Sequence, residues 1–281
     1  MLGKLLEYDM KALARPLVPL HIAAVALGAF ACLCGLLGSL ASGIDASSSG
    51  AQSIAVLVGI SAMAGIVFSM IALMCAPVAT LVIVVHRFYR NLFTDEGYLT
   101  FTLPVTANSH LLSKTIAGFV WLLIDFAVVL LCALGVSASI YGAQPGFTLD
   151  DSLPVWMLSA LGMFYGGDWT NATVWGVAQL VVGSVSMLLM AYLAFTLGAT
   201  VASRHKVAAG IGFFALFSWG SNFLTTVATL ASAVVLSSLG FSNEGATSVL
   251  WHLFVLALAL IVAAACYLVC LYLFKRKINL P

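Results

Sequence analysis

The most demanding chemical group in this 281-residue chain is an acid inside an apolar run. Asp125 lies in IAGFVWLLIDFAVVLLCALGVSASI, residues 116–140, about nine residues from the start of the run. A charge at such depth in a bilayer costs about 3 kcal/mol on insertion scales, so the carboxyl must be protonated, paired or set against a wet cavity. Two roles fit it: a station on a proton or substrate path, and a structural hydrogen bond between helices. Gln179, at a compatible depth in a later apolar run, is the expected partner. His21, His86, His110, His205 and His252 are scattered near the ends of different runs, a pattern that predicts no metal site. All six cysteines fall inside apolar runs and read as small packing residues. There is no phosphate loop, HExxH helix, GxSxG elbow or GxGxxG turn. The sequence therefore predicts no catalytic residue, no metal and no cofactor bound by this chain, and no enzyme activity of its own.

Composition says what must position these groups. Of the residues, 63% are hydrophobic and only 7% charged, against about a quarter charged in an average globular protein. That excludes a soluble enzyme, a disordered chain and a disulfide scaffold. The 11 Lys+Arg and 10 Asp+Glu leave a net charge of +1, too little basic excess for a nucleic-acid partner. The expected partner of most of the surface is the lipid bilayer.

About 20 apolar residues cross a bilayer core of about 30 Å. Six runs qualify, at about 17–41, 54–85, 116–140, 173–200, 207–239 and 249–274. The fold class is accordingly an all-α polytopic membrane protein, a single transmembrane domain over residues 1–281. The second and fifth runs exceed a straight span. Pro77 offers a kink in one, and Gly220, Ser221 and Asn222 offer a break in the other. Gly176 and Gly183 on the fourth are candidates for close helix approach.

Basic residues are retained in the cytoplasm during insertion. All 11 fall on one side of this scheme: Lys4, Lys11 and Arg15; Arg87, Arg90 and Lys114; Arg204 and Lys206; Lys275, Arg276 and Lys277. Both termini are thus expected to be cytoplasmic, in a multi-pass protein of the cell membrane. Asp45, Asp150, Asp151, Asp168 and Glu244 fall on the other side.

Residues 1–15 carry Leu2, Leu5, Leu6, Met10 and Leu13 on one helical face, and Lys4, Glu7, Lys11 and Arg15 on the other. This predicts an amphipathic helix lying along the interface, with Asp9 out of place on the apolar side. The outer segment 141–171 contains an apolar stretch, 153–164, too short to cross and read as an interfacial or re-entrant helix. The inner segment 86–115, HRFYRNLFTDEGYLTFTLPVTANSHLLSKT, is too aromatic for a plain linker. Gly97 and Pro104 supply turns, and Thr106 can cap a short helix containing Leu111 and Leu112. Such a helix suits a protein partner or the membrane surface equally.

The amphipathic start MLGKLLEYDMKALAR, the six spans with both ends inside, and EGYLTFTLPV (Glu96 to Val105) followed by Leu-Leu-Ser-Lys (Leu111 to Lys114) together resemble permease subunits of type-2 ATP-binding-cassette (ABC) exporters, particularly small Gram-positive ones. The resemblance implies that 86–115 holds a cytoplasmic coupling helix that docks on a separate ABC ATPase subunit. Asp95, Glu96, Gly97 and Tyr98 would lead into it, Pro104 and Thr106 would set its start, and Asn108, His110 and Leu111 would face the ATPase, with Leu112 beside them. ATP and Mg would be bound by that partner, and the permease would act as a homodimer or as a heterodimer with a second permease. An ion-coupled secondary carrier and a non-transporting assembly or immunity protein are the alternatives.

Overall fold

Six helices make up the described part of the computed structural model: α1 (Leu2–Ser42), α2 (Ser49–Phe93), α3 (Ala107–Tyr141), α4 (Trp169–Val201), α5 (Lys206–Ser238) and α6 (Glu244–Arg276). The structure describes residues 2–43, 48–94, 105–141, 169–202, 204–238 and 244–276, and no strand occurs among them. Every helix contains a stretch long and apolar enough to cross a membrane. The described residues are all-helical apart from short connections, and the six apolar helices are those of a multi-pass membrane protein.

The helices run further than the hydrophobic runs, because hydropathy stops where polarity begins whereas a helix stops where the backbone is broken. α2 passes through His86–Phe93, which contains neither Gly nor Pro, and buries Leu81, Val84, Val85, Phe88 and Leu92 along one face. Its 45 residues measure roughly 68 Å at 1.5 Å each. At the other end of the inner segment α3 begins at Ala107, so the short helix expected after Thr106 is the first turns of the third span. Residues 2–15 likewise form no separate interfacial helix. They are continuous with the first span in the 41-residue α1, which holds Pro16 and Pro19. The break that Gly220, Ser221 and Asn222 could have made is absent: α5 is helical throughout, and Asn222 Nδ2 donates to the Ser218 carbonyl of the preceding turn at 2.8 Å.

The helices contribute to two compact units. One comprises the described residues within Ala14–Thr80 and Trp121–Ala160, which are parts of α1, α2 and α3. Small residues let these helices touch. A Cβ on Gly28 would fall 2.2 Å from Cys132 Sγ, and one on Gly35 would fall 2.1 Å from Ser139 Oγ. The numbers rise together by seven, so α1 and α3 run parallel here at a two-turn repeat. Against α2 the contacts run oppositely, with Gly65 on Cys34 and Gly38 on Ala62, as for antiparallel neighbours. Ala24, Leu73, Ala76 and Cys132 form the shared core.

The other unit comprises the described residues within Met1–Leu13, Leu81–Val120 and Leu161–Pro281. Its centre is α4, on which every residue from Leu188 to Ala194 is buried. A helix buried all round needs neighbours on all sides. They are α5, closest where a Cβ on Gly198 would sit 2.5 Å from the Gly210 nitrogen; α6, through Ser186 Oγ to the Ala259 carbonyl and Thr196 beside Cys270; the end of α2; and the start of α3. A methyl added at Gly183, singled out in the sequence, would meet nothing within 4 Å, so close approach falls instead at Gly198 and Gly118.

Candidate functional site

Among the described residues, each unit holds a buried cluster of ionisable side chains. In the α4-centred unit, Asp9 occupies the buried face of α1 between the half-buried Leu5, Leu6 and Met10 and the buried Leu13, while Lys4, Glu7, Lys11 and Arg15 are exposed. The residue that looked misplaced on an apolar face is 4% exposed and has specific partners. Ser113 Oγ donates to Asp9 Oδ2 at 2.7 Å, and Lys114 Nζ donates to Oδ1 at 3.1 Å. Lys114 is itself 7% exposed. By contrast, the Glu7–Lys11 pair on the outer face of the same helix is well exposed and screened by solvent.

Aromatic packing ties this pair to the centre of the unit. Tyr192 of α4, fully buried, donates its hydroxyl to the Lys114 carbonyl at 3.1 Å and stacks on Phe88 of α2, with centroids 3.9 Å apart and planes 9° from parallel. Gly118 makes this possible, since a Cβ there would approach Val84, Leu188 and the Tyr192 hydroxyl at 2.8, 2.9 and 3.2 Å. Asp9, Arg87, Phe88, Lys114 and Tyr192 surround a void of about 10 Å³, room for about one water. The Arg87 Nε is buried without a hydrogen-bond partner. The cluster carries one acid and two bases, and Arg87 and Asp9 share that void. Chemically it is a fastener between helices.

Around it lie the residues expected to receive an ATPase. Thr106 does cap a helix: its Oγ1 accepts from the Ser109 amide at 3.3 Å. Asn108, exposed, accepts from the Tyr267 hydroxyl of α6. His110 and Leu111 are 1% and 0% exposed, so neither presents a face to a second protein; the apolar face of this turn is spent on the chain's own core. Leu112 is half-buried. Asp95, Glu96, Gly97, Tyr98 and Pro104 lie outside the described residues, as does the 153–164 stretch.

In the other unit Asp125, 2% exposed, pairs with a residue that sequence depth did not single out. His21 Nε2 of α1 is 3.1 Å from Asp125 Oδ1. The other ring nitrogen, Nδ1, is 2.7 Å from the Leu17 carbonyl. A carbonyl only accepts, so Nδ1 carries a hydrogen and Nε2 is the nitrogen left to share a proton with the carboxyl. Two arrangements satisfy the contact: imidazolium against carboxylate, or neutral imidazole accepting from the carboxylic acid. Trp121 packs on the imidazole with ring centroids 5.4 Å apart. The contact is close but not a well-formed hydrogen bond: His21 Nε2, Asp125 Oδ2, the buried Thr80 hydroxyl and Trp121 Nε1 are all unmatched. Gln179 lies half-buried on α4, in the α4-centred unit, where it has an interaction of its own.

The signal for His21 was present, since it is an ionisable residue within an apolar run, as Asp125 is. Reading the histidines only as possible metal ligands hid it. Among the described residues no group of three or more His, Cys, Asp or Glu side chains is placed to hold a metal. No family model, curated protein or solved structure matches the chain.

Proposed function

We propose that this chain is the membrane-spanning permease subunit of an ABC exporter, with the segment joining α2 to α3 receiving a separate ATPase subunit. The observation that carries this reading is the Asp9–Ser113–Lys114–Tyr192 fastener. It binds the first turns of α3, immediately after the docking segment, to α1 and to the central helix α4. A push on that segment is thereby delivered to the core of a unit instead of being dissipated in a loose loop. The distribution of the basic residues supports a cytoplasmic position for this end and both termini, where an ATPase would be. The permease supplies the path, its partner binds ATP and Mg, and a second permease, identical or homologous, completes the transporter. The substrate moves outward as the spans rearrange.

The test is reconstitution. The ATPase encoded beside this gene should co-purify with the chain, and substrate flux in proteoliposomes should require that subunit and ATP. Thr106→Pro or Leu112→Asp should reduce stimulation of the ATPase. Absence of binding, together with ATPase activity indifferent to both changes, would count decisively against the reading.

The His21–Asp125 pair favours one second reading, an ion-coupled carrier in which that pair holds the transported proton. Gradient-driven flux without any ATPase, lost in Asp125→Asn, would select it.

A further inference from the structure

A second void, of about 360 Å³, lies in the α4-centred unit between α2, α4 and α5, and shares no lining residue with the Asp9–Lys114 cluster. Eight of its ten lining residues are apolar, so water gains little there. Its volume falls within the roughly 300–1,000 Å³ range of small-molecule sites. Two wall residues, Val82 and Ile211, are 61% and 57% exposed, so the void opens to the outside of the chain at the level of its spans. In a bilayer that outside is hydrocarbon.

The lining has a direction. Along α2 it passes from Leu81 and Val85 to His86 and Tyr89. α4 runs the same way, since Tyr89 meets Phe195 edge-on as Phe88 meets Tyr192, and α5 runs back from the Gly198–Gly210 contact. Val207 therefore lies at the His86 end and Phe214 at the apolar end. Basic residues gather beyond the polar end: Arg90 is one turn past His86, and Arg204 and Lys206 precede Val207. An apolar slot with a polar, basic mouth matches an anionic amphiphile, with its chain in the slot and its headgroup among the bases. A helix of a second copy is a poorer fit, because its diameter of about 10 Å is too great for a void of this volume.

We propose that this void is a lipid site: one acyl chain of an anionic phospholipid lies against Val85, Phe195, Ile211 and Phe214, and its headgroup sits beside His86 and Lys206. This stands independently of the transport reading.

The experiment uses the full chain in mild detergent, incubated with equal phosphatidylglycerol and phosphatidylcholine and examined by native mass spectrometry. Wild type should retain one phosphatidylglycerol in preference to phosphatidylcholine. Lys206→Ala should lower that preference about fivefold, as expected for one base near an anionic headgroup, without loss of helicity. Ile211→Trp, on the exposed wall, should exclude the chain and remove the retained lipid; Ala191→Phe fills the same space from α4 and serves if the first variant fails to fold. Equal retention of the two lipids would overturn the proposal, as would undiminished retention in both filled variants. Efficient Ile211→Cys cross-linking between copies in lipid-depleted protein and in native membranes alike would also overturn it, in favour of a second copy.

Discussion

Lys114 Nζ and Asp9 Oδ1 lie 3.1 Å apart across 105 residues of sequence, with both side chains more than nine-tenths buried. Removing one member of a buried pair costs about 3–5 kcal/mol, whereas replacing both with apolar residues of similar volume is often nearly neutral. Asp9→Leu and Lys114→Met should each lower unfolding stability in detergent by roughly that amount. The double variant should recover most of the loss, giving a large coupling energy in a double-mutant cycle. Additive losses would show that the two side chains act independently.

The first turn of α3 gives a sharper test of docking than its sequence suggested. Leu111 is fully buried, so Leu111→Ala should cost about 2–5 kcal/mol through the cavity it leaves, and any loss of coupling would follow from misfolding. Leu112 is half-buried and Asn108 exposed. Leu112→Ala and Asn108→Ala should leave the melting temperature within a few degrees of wild type while weakening association with the proposed ATPase. A Leu112→Ala variant as unstable as Leu111→Ala would assign this turn to the core alone.

The existence of six spans was legible because apolar composition over some 20 residues is a summed signal that no single residue can spoil. The ends were not legible, since hydropathy is silent about a helix that continues into polar sequence, as α2 does through His86–Phe93 and α3 does from Ala107. Asp125 stood out for its cost in lipid, but its partner depended on which helices are neighbours, a property of packing. Gly28 and Gly35 on α1 meeting Cys132 and Ser139 on α3 are what bring His21 to Asp125, and no periodicity within one span encodes that. Asp9 carried a trace in sequence, as a charge on the wrong face. Its meaning required Lys114.

The 3.1 Å contact between His21 Nε2 and Asp125 Oδ1 makes a distinct prediction. Because Nδ1 is committed to the Leu17 carbonyl, Asp125→Asn can substitute an amide N–H donating to neutral Nε2 and should be tolerated structurally. Asp125→Leu leaves Nε2 buried with no partner and should cost about 1–3 kcal/mol more. Nitrogen NMR of histidine-labelled protein should report a protonated Nδ1 in both wild type and Asp125→Asn. Equal stability of the two variants, or a deprotonated Nδ1, would show that His21 Nε2 does not depend on a polar group at position 125.

Glycine positions separate contact from propensity. At Gly198 an added methyl meets backbone atoms of Gly210 at 2.5 and 2.7 Å, and backbone cannot rotate aside, so α4 and α5 must move apart. Gly198→Ala should destabilise by about 1–3 kcal/mol, the usual cost of overpacking. Gly183, on the same helix, has open space where its methyl would go. There the only change is that alanine is the better helix former by about 1 kcal/mol, so Gly183→Ala should be neutral or stabilising. Detergent unfolding of the two variants side by side checks both signs, and because α5 also walls the 360 Å³ void, Gly198→Ala should alter lipid retention while Gly183→Ala leaves it unchanged.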